Sequence, residues 1–234
     1  MVYPEWDGLV QSSPKPTFAE EKKLQSQGYR FIAGIDEVGR GALAGPVAAA
    51  AVILPLGIKA GWLKLVRDSK QLEPEKREFL AGHIYKAAVA IGIGFVSSEE
   101  IDKRGIVKAT YLAMRLSVKR LSSPAETLLV DYLHLPGIKL PQKGVTDGDS
   151  LCISIACASI VAKVARDHLM VELDKNYDGY GFAHHKGYGT EEHLACLQRL
   201  GPCPIHRRSF NPVREMIQET GKVRRGAALR NRIT

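Results

Sequence analysis

Residues 31–54 contain two apolar runs hinged on Gly39-Arg40-Gly41, and no other stretch restricts the fold as strongly. The first run enters at Phe31, the second is the small and branched series leaving at Val47, and the glycines between them mark a turn, so a pair of strands is expected. Asp36 and Glu37 lie where the first run ends. Two carboxylates inside an apolar segment are destabilising, by roughly several kcal/mol, unless something positive compensates them, which implies a metal or a fixed cation. Neighbouring side chains on a regular strand face opposite ways, so these two acids share a ligand only where the strand loses its regularity, and Gly39 and Gly41 are expected to supply that irregularity. Glycines also let a backbone approach a ligand closely, and Arg40 offers a fork of donors suited to phosphate. The bland reading, a hairpin with a solvated acid pair, fits poorly with apolar flanks on both sides.

The remaining chain alternates between helical and strand patterns. Thr17 and Glu20 stand in capping-box spacing with Gly28 as a stop, predicting a short helix that covers one sheet edge. Residues 55–61 read as loop, Pro74 suits the first turn of a helix running to about Ala90, and residues 88–96 read as a strand. Ser97 and Glu100 repeat the capping-box spacing ahead of a helix to about Leu121, weakened at Gly105. Residues 127–130 form a short apolar strand that delivers Asp131 at its end, and open α/β sheets place their chemistry beyond strand ends. Residues 136–148 read as loop. Asp149 then opens an alanine- and serine-rich helix over 151–173, where capping is the ordinary role of a carboxylate. Residues 177–188 make an aromatic, glycine-rich loop, followed by a helix to Leu200. The interleaved Tyr, Lys and Arg of residues 177–210 suit a surface that stacks on sugars or bases and clamps phosphates.

A chain of 234 residues with 45% hydrophobic content can bury one core of ordinary size with a smaller appendage. No apolar run is long enough to span a bilayer, and Pro4, Glu5 and Asp7 stand where a secretory signal would be basic and then apolar, so a cytoplasmic protein is expected. Cys152, Cys157, Cys196 and Cys203 form no C-x-x-C pair and read as buried small hydrophobes. His184, His185, His193 and His206 match no common zinc spacing, and the hard acids make a better metal site. The net charge of +8, concentrated near residues 64–70, 103–119, 206–208 and 222–232, favours a polyanionic partner.

The segment Gly34-Ile35-Asp36-Glu37-Val38-Gly39-Arg40-Gly41 with Ala44-Gly45-Pro46-Val47 resembles the signature of the type 2 ribonuclease H (ribonuclease HII) family. Asp68-Ser69-Lys70, Leu129-Val130-Asp131, Gly148-Asp149-Ser150, the run from Ala158 to Lys163 with Arg166-Asp167, the run from His185 to Thr190 and His206-Arg207-Arg208-Ser209-Phe210 follow in family order. The resemblance implies an α/β, ribonuclease H-like fold: a mixed central sheet flanked by helices, with a helical C-terminal extension. It divides the chain into a helical lead-in (1–30), a catalytic domain (31–190) and a C-terminal substrate-binding region with a basic tail (191–234). It also implies four metal-site acids, Asp36, Glu37, Asp131 and Asp149. Gly39, Arg40 and Gly41 would read the ribose 2′-hydroxyl and the adjacent phosphate, Tyr188 would pack against the same sugar, and Ser69, Lys70 and Lys186 would touch the backbone. Where family members commonly carry Gly and Lys, this chain has Tyr132 and Asp147.

Hard carboxylates suit Mg²⁺ or Mn²⁺. The implied activity is endonucleolytic hydrolysis of the RNA strand of RNA/DNA hybrids, and cutting 5′ to a single ribonucleotide in duplex DNA, by a monomer that needs no membrane. Two alternatives stand beside it: a related-fold nuclease acting on DNA, and a non-catalytic nucleic-acid binder with a structural cation.

Overall fold

The two apolar runs are strands β1 (Ile32–Val38) and β2 (Val47–Ile53), paired antiparallel in the computed structural model, which describes residues 15–219. With β3 (Ala90–Val96), β4 (Thr127–Asp131) and β5 (Gln142–Val145) they form one sheet in the order β3-β2-β1-β4-β5. β4 runs parallel to β1 and β5 parallel to β4, so the sheet is mixed, as the fold class requires. Every residue of β2 is buried, and its four consecutive alanines leave room for a helix backbone to come close.

The helices are α1 (Ala19–Ser26), α2 (Pro74–Ala87), α3 (Ser98–Arg104), α4 (Ile106–Lys119), α5 (Gly148–Leu151), α6 (Ile153–Asp174), α7 (Phe182–His185) and α8 (Glu191–Leu200). Residues 213–219 are also helical. The chain makes two compact units. The first takes in the described residues up to Val38, Ala48–Phe95 and Thr110–Arg166. Its core joins Val52 of β2, Trp62, Leu80 and Ile84 of α2, and Ile160 and Val161 of α6. A smaller cluster of Ile32, Leu129, Val145, Cys152 and Ile155 takes Leu24 and Tyr29 against it, which seats α1. α1 is tied to the edge strand β5 by a 2.6 Å pair between Glu20 and Lys143. At Gly34 an ideal Cβ would lie 2.2 Å from the Ser154 carbonyl carbon, so glycine is what lets the start of α6 rest on β1.

The second unit takes in Gly39–Val47, Val96–Ala109 and the described chain from Asp167 onward. It is packed around Met170, Tyr180 and Phe182 on one side and Leu43, Leu197 and Val213 on another. Backbone bonds weave three of its segments together: the Leu43 and Ala44 amides donate to the Gly187 carbonyl, Gly45 N to Ile205 O, and Arg207 N to Leu43 O.

Several local expectations are corrected. Thr17 accepts from the Ala19 amide at 3.3 Å, but Glu20 turns to lysines instead of closing a capping box. The helix expected over 101–121 is two helices, because Gly105 at φ 79° breaks the run that Ser97 caps. β5 lies inside the segment read as loop; its Gln-Lys-Gly-Val carries no alternation and takes its strand form by pairing with β4. Cys152 is extended and bridges to Thr17, so Asp149 belongs to the one-turn α5 and does not start α6. Asp149 is not the N-cap of α5 either, since Asp147 holds that position. Cys152 and Cys157 are buried as expected, whereas Cys196 and Cys203 are only partly so. The basic tail beyond residue 219 lies outside the described residues.

Candidate active site

Pairing between β1 and β4 ends at Ile35 with Val130, so Asp36 and Asp131 are the next residues along two parallel strands. Glu37 follows Asp36. Each of the three acids offers a carboxylate oxygen, and these oxygens lie within 4.8 Å of one another. The expected loss of strand regularity is absent on one edge, because β1 stays in register with β2 through Val38. It occurs on the other edge, where β4 no longer pairs with β1. There the Asp36 carboxylate accepts from the Glu37 amide at 2.7 Å.

Surrounding groups fix the cluster. The Asp131 carboxylate accepts from the Gly148 amide at 2.7 Å, and this bond ties β4 to α5. Ser159 of α6 donates to Asp36, and the 2.8 Å bond between Ser159 Oγ and Ser69 Oγ holds that hydroxyl in turn. Burial, then the neighbouring charges of Glu37 and Asp131, push the Asp36 carboxyl well above its usual range. Burial likewise raises Asp131 against the opposing effect of the Gly148 amide.

Asp149, 8% exposed, stands beside this trio without sharing its tight oxygen spacing. Burial and the nearby charges of Asp68 and Asp131 push its carboxyl up to about 6. The Lys70 ammonium approaches to 3.8 Å. Partial burial disfavours charge on that lysine, but Asp68, Asp149, Asp36 and Asp131 outweigh it and raise its pKa. Ser69 is buried and its hydroxyl is committed to Ser159. Tyr132 and Asp147 both adopt left-handed backbone, at φ 55° and 52°, which is the reason glycine suits the first of these positions.

The other substrate-binding candidates belong to the second unit. Gly39 has φ 86°, and Arg40 and Gly41 are exposed. The Arg207 guanidinium, fully buried, donates to the carbonyls of Gly39, Arg40 and Gly45 at 2.7, 2.8 and 3.1 Å. Tyr188 is half-buried, and Lys186, at φ 52°, turns its ammonium to the Ala183 carbonyl. The aromatic and basic stretch is therefore less of a surface than its composition implies: Tyr180, Phe182, His185, His193, His206 and Arg207 are all interior.

The histidines have a defined order. Cys203 N donates to His206 Nδ1 at 2.9 Å, so the neutral ring carries its proton on Nε2 and donates to His193 Nε2 at 3.1 Å. His193 Nδ1 then donates to the Tyr188 carbonyl at 2.9 Å. Burial lowers both pKa values, that of His206 to about 4.

Asp68, Ser159 and Arg207 were given no role from sequence. Asp68 is part of the family-like Asp68-Ser69-Lys70 run, Ser159 one of the small residues of an alanine- and serine-rich helix, and Arg207 part of the basic cluster at residues 206–208. Only their tertiary partners distinguish them.

Three converging, partly buried carboxylates, with a fourth alongside, provide a hard oxygen donor set that fits a divalent cation. A family model described as Ribonuclease HII matches residues 33–213. The Ribonuclease HII of Dehalococcoides mccartyi (strain ATCC BAA-2100) is 57% identical over 202 residues, covering 86% of this chain and 95% of that protein. Among solved structures, ribonuclease H2 from Pyrococcus horikoshii OT3 superposes with a TM-score of 0.68 at 22% identity, over 80% of this chain and 97% of that one. Bst-RNase HIII in complex with Mn²⁺ gives 0.62 at 19% identity, over 81% of this chain and 70% of that one.

Proposed function

The chain belongs to the ribonuclease HII family, and from that premise we propose that it is a metal-dependent endoribonuclease hydrolysing the RNA strand of RNA/DNA hybrids and cutting 5′ to single ribonucleotides in duplex DNA. The observation that carries this reading is the convergence of Asp36, Glu37 and Asp131 at one strand end. These three residues, with Asp149, would hold Mg²⁺ or Mn²⁺. The Mn²⁺ of Bst-RNase HIII supports that choice. Bound there, such ions would supply Lewis-acid activation of a water and charge stabilisation at the leaving oxygen, chemistry that yields 5′-phosphate and 3′-hydroxyl ends.

The protein's own groups set the rest. Ser159 and the Glu37 amide orient the Asp36 carboxylate, and the Gly148 amide orients Asp131. Lys70 moderates the negative field around Asp149. Gly39, Arg40 and Gly41 read the ribose 2′-hydroxyl and its phosphate, with Tyr188 against the sugar, while Lys70 and Lys186 serve the backbone. The 2′-hydroxyl is the group that separates RNA from DNA at a given site, so selectivity rests on that turn and not on base edges. No helix among the described residues is long and apolar enough to cross a membrane, and a monomer supplies every residue invoked.

The test is cleavage, with Mg²⁺ or Mn²⁺, of a DNA duplex carrying one ribonucleotide, beside an all-DNA duplex and an Asp131→Asn control. One metal-dependent cut 5′ to the ribonucleotide, lost in the control, is expected. Equal cutting of both duplexes would sink the reading.

A further inference from the structure

Arg207 is a buried cation outside the acid cluster, and its contacts define what it does. One hydrogen from each of its three nitrogens goes to a backbone carbonyl, and two of those carbonyls belong to consecutive residues of the turn, Gly39 and Arg40. Its own amide donates to Leu43 O at 2.8 Å, and its guanidinium lies 5.1 Å from the centroid of the Phe210 ring. A fully buried guanidinium carries a large desolvation penalty. A planar fork that grips three carbonyls in fixed directions offers a geometric return that a lysine, with one ammonium, does not reproduce.

The direction of the grip matters. In a trans peptide the C=O and the following N–H point opposite ways, and among the described residues the cis bond lies elsewhere, at Asn211-Pro212. Because the Gly39 carbonyl faces Arg207, the Arg40 amide faces away from it. Because the Arg40 carbonyl faces Arg207, so does the Gly41 amide face away. Two successive amides are thus aimed outward from a buried positive charge, at exposed residues, which is the arrangement that receives an anionic or lone-pair-bearing oxygen.

We propose that Arg207 is a positioning residue for ribonucleotide selectivity: it touches no substrate, and it fixes the Gly39-Arg40-Gly41 turn with its amides presented to the ribose 2′-oxygen and the neighbouring phosphate. This rests on the reading of that turn given under the proposed function. Arg207 is accordingly no phosphate clamp, despite its place in a basic cluster. Arg208, exposed beside it, does not share the role: its amide bonds to Asp102 at 2.9 Å.

The experiment compares binding, in EDTA, of a duplex with one ribonucleotide and of its all-DNA counterpart, together with kcat/KM for cleavage, in the wild-type protein and in Arg207→Lys. Wild-type preference for the ribonucleotide duplex and its cleavage test the turn and the activity by themselves; their absence would overturn the functional reading and this inference with it. Given that preference, Arg207→Lys is expected to hold all-DNA affinity within about twofold while the preference collapses and kcat/KM falls by about tenfold or more. A folded Arg207→Lys that retains both the preference and kcat/KM overturns the positioning role alone. Should that variant fail to fold, side-chain NMR of ¹⁵N-arginine wild-type protein decides: the Arg207 Nε–H resonance is expected to shift with the ribonucleotide duplex and not with the all-DNA duplex, and equal responses to both would overturn the proposal.

Discussion

Asp131 sits one residue beyond the last β1–β4 pair, where burial raises its pKa, so its negative charge is destabilising until a cation arrives. Asp131→Asn keeps an oxygen for the Gly148 amide but removes that charge. The variant is expected to lose cleavage by about a thousandfold or more while its thermal midpoint in EDTA stays level or rises. A calorimetric scan with and without Mn²⁺ checks it: the wild-type midpoint rises with the ion and the variant's does not. Asp149 adds a pH signature. With its carboxyl near 6 in the metal-free fold, metal and proton compete below that pH. The half-saturating Mn²⁺ concentration is expected to climb by about tenfold per pH unit as pH falls from 6 to 5, read by titration calorimetry.

At the scale of elements, the start of α6 rests on β1 at Gly34, and Asp149 stands five residues ahead of the contact residue Ser154. Gly34→Ala forces backbone apart at a 2.2 Å approach, and a loss of about 3 kcal/mol or more in a urea melt is expected, with activity falling alongside. The histidine chain that reaches the Tyr188 carbonyl has its own pH window. Folded His206 titrates near 4 and unfolded histidine near 6.5, so the unfolded chain binds more protons between those values. The stability this neutral relay contributes is complete above pH 6.5 and is lost as pH falls toward 4, by on the order of 1–3 kcal/mol. His206→Gln should flatten that part of the melting-temperature curve; an unchanged slope would place the effect elsewhere.

For the whole molecule, a net charge of +8 and a backbone-directed mode of recognition predict binding dominated by phosphate contacts. Raising salt from about 50 to 200 mM should weaken binding by at least about tenfold, for ribonucleotide and all-DNA duplexes alike, because that electrostatic contribution reads no sugar. Fluorescence anisotropy in EDTA measures it. Slopes that differ between the two duplexes would mean that the ribose-reading turn recruits additional phosphate contacts.

Sequence alone determined the order of the main strands and helices and the positions of Asp36, Glu37 and Asp131, because apolar periodicity and acids at the ends of apolar runs are local patterns. It did not determine β5, whose four residues are strand only because the β4 backbone offers them partners. Nor did it determine the break at Cys152, made by a bridge to Thr17, which places Asp149 in a separate turn. The irregularity beside Asp36 and Glu37 lies at the edge where β4 stops pairing, while β1 stays in register with β2 as far as Val38. Arg207 and Ser159 are the clearest cases: a basic cluster and a small helix residue carry no local sign of purpose. What decides their roles is which carbonyl or carboxylate lies across from them, and that is set by packing between segments far apart in the chain.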